Sequence, residues 1–351
     1  MRSFISRISE RFRRTRPTPE PGKESRLLTP SRKASESDPH NQGEALTKQL
    51  EEHLFCWLLD VSPTSLEGDL ASAHKVLESL NHRLHSKQRI HELPRRPQTL
   101  PRLMAALSDE TTDRQRLSEI ILGDPALTDQ LLKIANSPYF RTRDSDVDSV
   151  DQAIFVLGMD GIRNVIAAAV ARPVLAARNS REAVFAQRVW NWGLTCARAS
   201  ELIARIHGKD PSAHFIAGLL PSLGYITVRR ELERIYRAHF NNRDPEPAVV
   251  RHALARNQWV VCQRLAEEWG LPPRYHALLM SAERPLPNHP HTPLSDGMIL
   301  GTREVLRQAR QRNMAEEDLP EVIQLTPEQI SEVRKALRSF LRDDRDSAGQ
   351  A

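Results

Sequence analysis

Aromatic side chains are scarce in this 351-residue chain, at 5% against 39% hydrophobic residues overall. Its core must therefore be built from aliphatic side chains, which suits helices packed on helices. Cysteine is rarer still: Cys56, Cys196 and Cys262, with no Cys-x-x-Cys pair. Their number is odd, they lie far apart, and each falls in an apolar helical pattern. That excludes a disulfide framework and a thiolate zinc site, and points to buried thiols in a reducing, cytoplasmic setting. No apolar run reaches the roughly 20 residues of a membrane-spanning helix. Arginines interrupt the early apolar residues, so no secretory leader is expected. Alternating apolar–polar runs are missing, which excludes a sheet. Neither a P-loop, a G-x-G-x-x-G fingerprint nor a G-x-S-x-G elbow occurs, so no bound cofactor is expected.

What is present begins with charge. The formal +5 comes from residues 1–16, where Arg2, Arg7, Arg11, Arg13, Arg14 and Arg16 face only Glu10. The rest of the chain balances at 44 basic and 44 acidic residues. A neutral body gives no electrostatic footprint for nucleic acid. Residues 1–16 read as a mobile basic terminus, or as a short helix with Phe4, Ile5, Ile8 and Phe12 on one side for membrane or partner contact. Residues 17–43 hold Pro17, Pro19, Pro21, Pro30 and Pro39 among serines and charges, and read as a disordered linker.

Residues 44–92 carry two apolar helical patterns, one through Leu50, Leu54, Phe55 and Leu58, the other through Val76, Leu80 and Leu84. Pro63 lies between them, so a helical hairpin is expected. Pro101 opens a helix to Leu107, and another spans 112–122. In residues 123–175, Asp124 caps a helix with Pro125 at its first position. Leu127, Leu131, Leu132 and Ile134 lie on one face, and Asn136, Ser137 and Pro138 stop it. Ser149 with Gln152 opens a second helix that Gly158 ends. Asp160 caps a third, with Ile162, Val165, Ile166, Ala169 and Val170 on its face. A long helix over 182–207 follows, ended by Gly208. Shorter ones are expected over 211–222, 226–240, 247–256, 257–269 and 274–284. Residues 288–342 add C-terminal helices over 294–311 and from Thr326, with Ile330, Val333, Leu337 and Phe340 on a face. Residues 343–351 read as a disordered tail. The run RRELERIYR (229–237) reads as a solvated face with i,i+4 ion pairs.

The motif DPALTDQLLKIANSPYF, followed at a fixed spacer by S-x-x-Q-A-I-x-x-L-G-M-D-x-I-R-N, resembles the HDOD family, bacterial relatives of the HD metal phosphohydrolases. The resemblance covers about Leu93 to Pro287 and implies an all-α, HD-like multi-helix bundle over 93–287. It also implies where metal ligands would stand. The early His, two residues after a Trp, falls at Trp192. The His-Asp pair of a G-L-L-H-D-x-G segment falls at Pro221 and Ser222 in GLLPSLG. The His before W-x-L-P falls at Gln258, and the last His positions fall near Ala282 and Glu283. Every ligand is substituted, so no catalytic residue and no metal are expected.

Other clusters are weak. His82 and His85 share a helix, and His289 and His291 flank Pro290; exposed polar histidines are the plain reading. Trp190, Asn191 and Trp192, with His214, Pro221, Ser222, Gln258 and Trp259, mark a vestigial pocket or partner surface, or simply core that fills the space of the lost metals. Asn136 is expected to hydrogen-bond the loop backbone. The resemblance implies a non-catalytic signalling or regulatory protein acting on other signalling or regulatory proteins. A sensor with a nucleotide or cyclic dinucleotide in the vestigial pocket is the alternative, and a divergent metal-dependent phosphohydrolase the third reading.

Overall fold

The computed structural model describes residues 39–86, 88, 90–94, 102–103, 106, 113–136, 147–158, 162, 179–240, 243–285 and 291–349. Outside these lie the basic segment 1–16, most of the linker, most of the helix expected from Pro101, and Ser137, Pro138, Tyr139, Asp160, Val165, Ile166, Ala169, Val170 and His289. The side chains of Ile134 and Phe340 lie outside as well. Among the described residues every regular element is a helix.

Local chemistry sets most helix starts. α1 spans Pro39–Leu59 and begins inside the expected linker, because proline suits a first turn. It ends at Asp60, in the left-handed region at φ 60°, which lets Val61 N–H donate to the Cys56 carbonyl at 3.0 Å. α2 is His74–His85, α3 Arg114–Leu122 and α4 Pro125–Ala135. Asp124 caps α4, accepting from Leu127 N–H at 3.2 Å. Asn136 then exchanges two 2.7 Å bonds with the Val147 backbone, donating to its carbonyl and accepting from its N–H. Ser149 caps α5 (150–158) through Gln152 N–H, and Gly158, at φ 61°, ends it.

The centre is built from four long helices. α6 is Ser180–Ile206, capped by Asn179, which accepts from Glu182 N–H at 2.8 Å. α7 is Pro211–His239, capped by Asp210. α8 is Pro247–Glu268 and α10 is Pro293–Gln308, the latter opened by a Thr292–Ser295 capping box. Along its length α6 packs against both α7 and α10, which also touch each other, while α8 packs on α7. α9 (Pro273–Glu283), α11 (Leu319–Val322) and α12 (Pro327–Gly349) complete the chain. Their apolar residues Leu279, Leu319, Ile330, Val333 and Leu337 join the same core as α6 and α7.

Several expectations are corrected. The two helices expected over 44–92 form as α1 and α2 and pack chiefly on the bundle rather than on each other. α1 docks on α10, α11 and α6, whereas α2 docks on α7 and α8, so each helix buries its stripe against the bundle. α7 is one helix, not two. It runs through Pro221 and Gly224, because it is buried all round and tertiary packing outweighs local propensity. α8 is likewise continuous through 256–257. α12 extends over 343–349, where no proline interrupts and the first glycine is Gly349.

Candidate functional site

The positions that correspond to a metal centre lie where α6, α7 and α8 meet. The sequence supplies small residues there, and the helices close on one another. A Cβ on Gly193 would sit 2.3 Å from the Ser222 Cβ, and one on Gly218 only 2.8 Å from the Ala197 Cα. Beside these contacts on α6, a Cβ on Gly297 would meet the Ser200 backbone at 2.5 Å, and one on Gly301 the Cys196 Cα at 2.6 Å. Gly224 lies against the Gln258 carbonyl, 3.2 Å from where its Cβ would stand. Backbones in such contact leave no room for an ion and its water.

The candidate side chains fill this space. Trp192, 1% exposed, stacks on Tyr225 with ring centroids 4.9 Å apart, and Tyr225 stacks on Phe55 at 5.8 Å. The Trp192 indole N–H donates to Thr302 Oγ1 at 2.8 Å, so its one polar atom is satisfied inside the core. Ser222 is fully buried and donates to the Leu219 carbonyl at 2.7 Å. Trp190 is buried, Asn191 is half-buried and accepts from Gln187 Nε2, and Trp259 packs half-buried against the core. Pro221 is buried inside α7. Gln258 keeps a sealed side-chain oxygen with no partner.

His214 stands apart, near the start of α7. It is 2% exposed, its Nδ1 lies 2.7 Å from the Asp210 carbonyl, and its Nε2 is buried without a partner. Burial lowers its pKa, so it is neutral at neutral pH.

A metal does not fit these residues. Glu283 is near enough to add to the upward shift that burial gives Cys262, whose thiol therefore stays protonated. One carboxylate, one orphan amide oxygen and one neutral thiol do not make a ligand set for a divalent ion. Among the described residues no three His, Cys, Asp or Glu side chains group to hold one. His85 Nδ1 bonds the Asn81 carbonyl on its own helix, and His291 bonds Asp296 at 3.0 Å.

Sequence reasoning missed the charged half of α7. Residues 229–237 are not a solvated face. Glu231 is fully buried, accepts from Glu92 N–H at 3.0 Å, and pairs with Arg234 at 2.8 Å and with Arg83 of α2 at 3.4 Å. Arg230 reaches Glu182 of α6 at 2.7 Å, with both side chains nearly buried. Arg229 and Arg237 both face Glu233. A second network joins Glu304 to Arg303, Arg307 and Arg334, and Arg334 to Glu316. The signal for such networks was there: a carboxylate three or four residues from an arginine on an otherwise apolar helix. An open cleft of about 640 Å³ lies beside α7's charged half, lined by the 59–61 turn and the starts of α6 and α8.

Comparison with known proteins supports the architecture. Among curated proteins no sequence matches. An HDOD domain protein of unknown function from Geobacter sulfurreducens has the same fold at 16% identity and a TM-score of 0.51, covering 80% of this chain and 97% of its own. A candidate signal transduction protein from Marinobacter aquaeolei matches at 20% identity and a TM-score of 0.56, covering 82% of this chain and 68% of its own. A candidate phosphohydrolase from Shewanella amazonensis matches at 20% identity and a TM-score of 0.54, covering 76% of this chain and 99% of its own. No helix among the described residues is long and apolar enough to cross a membrane. The HDOD domain model matches residues 93–285, more than half of the sequence, and the chain belongs to the HDOD family.

Proposed function

We propose that this HDOD protein is a non-catalytic signal-transduction or regulatory protein that works by binding other signalling or regulatory proteins. One observation carries the reading: of the residues at the superfamily's His-Asp pair, Ser222 is pressed against Gly193 of α6, and Pro221 is buried inside α7. The phosphohydrolase mechanism needs a metal that activates water and neutralises phosphate. Here the helices occupy that volume. The same packing disfavours a nucleotide or cyclic-dinucleotide sensor at Trp190, Trp192, Pro221 and Gln258, since Trp192 is locked in a three-ring stack. Large apolar side chains on the family region, Leu122 at 59% and Phe155 at 69% exposure, offer contact surface. Residues 1–16 would add a basic tether to a membrane or partner, in a cytoplasmic protein.

The direct test is hydrolysis of a generic phosphodiester such as bis(p-nitrophenyl) phosphate by tag-free protein with added manganese. No turnover above buffer is expected. Manganese-dependent turnover that is lost in Glu283→Gln would overturn the proposal. Deleting residues 1–16 tests the tether: unchanged membrane fraction and unchanged partner recovery would refute it.

A further inference from the structure

The cleft beside α7 has the size of a small-ligand site and a charge pattern of its own. Its centre is Arg229. The Arg229 guanidinium lies over the Phe185 ring at 4.1 Å, and its Nε donates to Glu233 at 2.9 Å. These two contacts fix the plane of a side chain that is only 12% exposed. Its two terminal nitrogens bond no described residue, yet they are not sealed from solvent. A guanidinium held at one edge and open at the other is preorganised to grip an oxyanion through two parallel N–H bonds.

Each carboxylate of the lining is already paired with an arginine. Arg237 comes within 3.6 Å of Glu233, and Arg181 pairs with Asp244 at 3.0 Å across the cleft mouth. The third carboxylate of the lining, Asp60, is held from outside by Arg188 at 3.0 Å. Arg181, Arg229 and Arg237 of the lining balance Asp60, Glu233 and Asp244, and Arg188, outside it, neutralises Asp60, so an incoming anion meets no unpaired carboxylate. α6 and α8 both begin at the cleft, and the α8 start has no side-chain cap, so the positive ends of two long helices add to the field. Asp60 and Asp244 are 79% and 62% exposed and keep lone pairs that can accept ligand hydroxyls.

We infer that this cleft binds a small hydroxylated phosphate ester, with the phosphate on the terminal nitrogens of Arg229 and the hydroxyls on Asp60 and Asp244. The site lies apart from the former metal position and stands or falls independently of the reading above.

The test uses the full chain and two probes, inorganic phosphate and glycerol 3-phosphate, in calorimetric and thermal-shift titrations against sodium chloride of equal ionic strength. Saturable binding is expected, tighter for the ester than for inorganic phosphate. Arg229→Gln should weaken it by about tenfold or more, as expected for losing a bidentate charge-assisted contact. Arg181→Gln, at an exposed position that cannot unfold the protein, should weaken it by about threefold through loss of nearby charge. Arg284→Gln, at a position 82% exposed just past the end of α9, should leave it unchanged. If Arg229→Gln does not fold, Arg181→Gln decides. Equal stabilisation by chloride, equal binding by all variants, or binding of citrate but neither phosphate would overturn the inference.

Discussion

The two halves of α7 solve burial in opposite ways. From Pro211 to Gly224 it carries one ionisable side chain, His214, and its small residues let α6 and α8 approach to backbone contact. From Arg229 to Arg237 it carries six charged residues, whose arginines pair with carboxylates of the same helix and of α6. The first half has no space left, while a cleft remains beside the second. Side-chain length, not hydropathy alone, decides whether packed helices leave a cavity. In this chain the chemistry-bearing volume of an HD-like fold is closed and a charged volume stands open at the other end of the same helix.

The largest expected effect comes from the charged half. Arg230→Ala takes the guanidinium from Glu182, whose side chain is 5% exposed. Breaking such a buried pair costs about 3–5 kcal/mol, to be measured by urea unfolding. A loss below about 1 kcal/mol would mean that this half is solvated after all, as surface pairs are.

The small-residue half makes a prediction of opposite sign to common experience. Glycine to alanine inside a helix ordinarily stabilises by up to about 1 kcal/mol. Gly193→Ala should instead destabilise by about 1–3 kcal/mol, because the new methyl overlaps the Ser222 Cβ. Stabilisation would show that the helices stand further apart than described, with room for an ion.

A smaller effect is read by pH. Burial lowers the pKa of His214 below its ordinary 6.5, and His53 and His252 shift the same way. As pH falls below about 6.5 the unfolded chain takes up protons that the folded chain refuses, so stability present above that pH is lost on acidification. The thermal midpoint should fall from pH 7 to 5, and His214→Gln should flatten part of that fall. An identical slope in the variant would show His214 to be solvated. The smallest effect belongs to the exposed Arg181–Asp244 pair, where Arg181→Gln should change stability by less than about 0.5 kcal/mol in the same urea assay.

Legibility in the sequence followed locality. Asp124, Ser149 and Thr326 announce helix starts because capping acts within three residues, and each caps as expected. Asn136 closes its loop for the same reason. The interruptions expected at Gly224 and between Arg256 and Asn257 did not appear, since burial on every side overrides a weak local preference. The charges of 229–237 looked solvated because their partners, Glu182, Arg83 and the Glu92 backbone, are far away in sequence. The substitutions at Trp192, Pro221, Ser222 and Gln258 were readable from the family motif. That Gly193 and Gly218 close the space around them was not, because two helices must first be brought together.

The closed metal position is tested most directly by the metal content of tag-free protein purified without chelators. Less than about a tenth of an equivalent of any transition metal is expected, since among the described residues no ligand set is in place to outcompete water and buffer. One or two equivalents that survive dialysis would contradict the packing of Gly193 on Ser222 and return the chain to the phosphohydrolases.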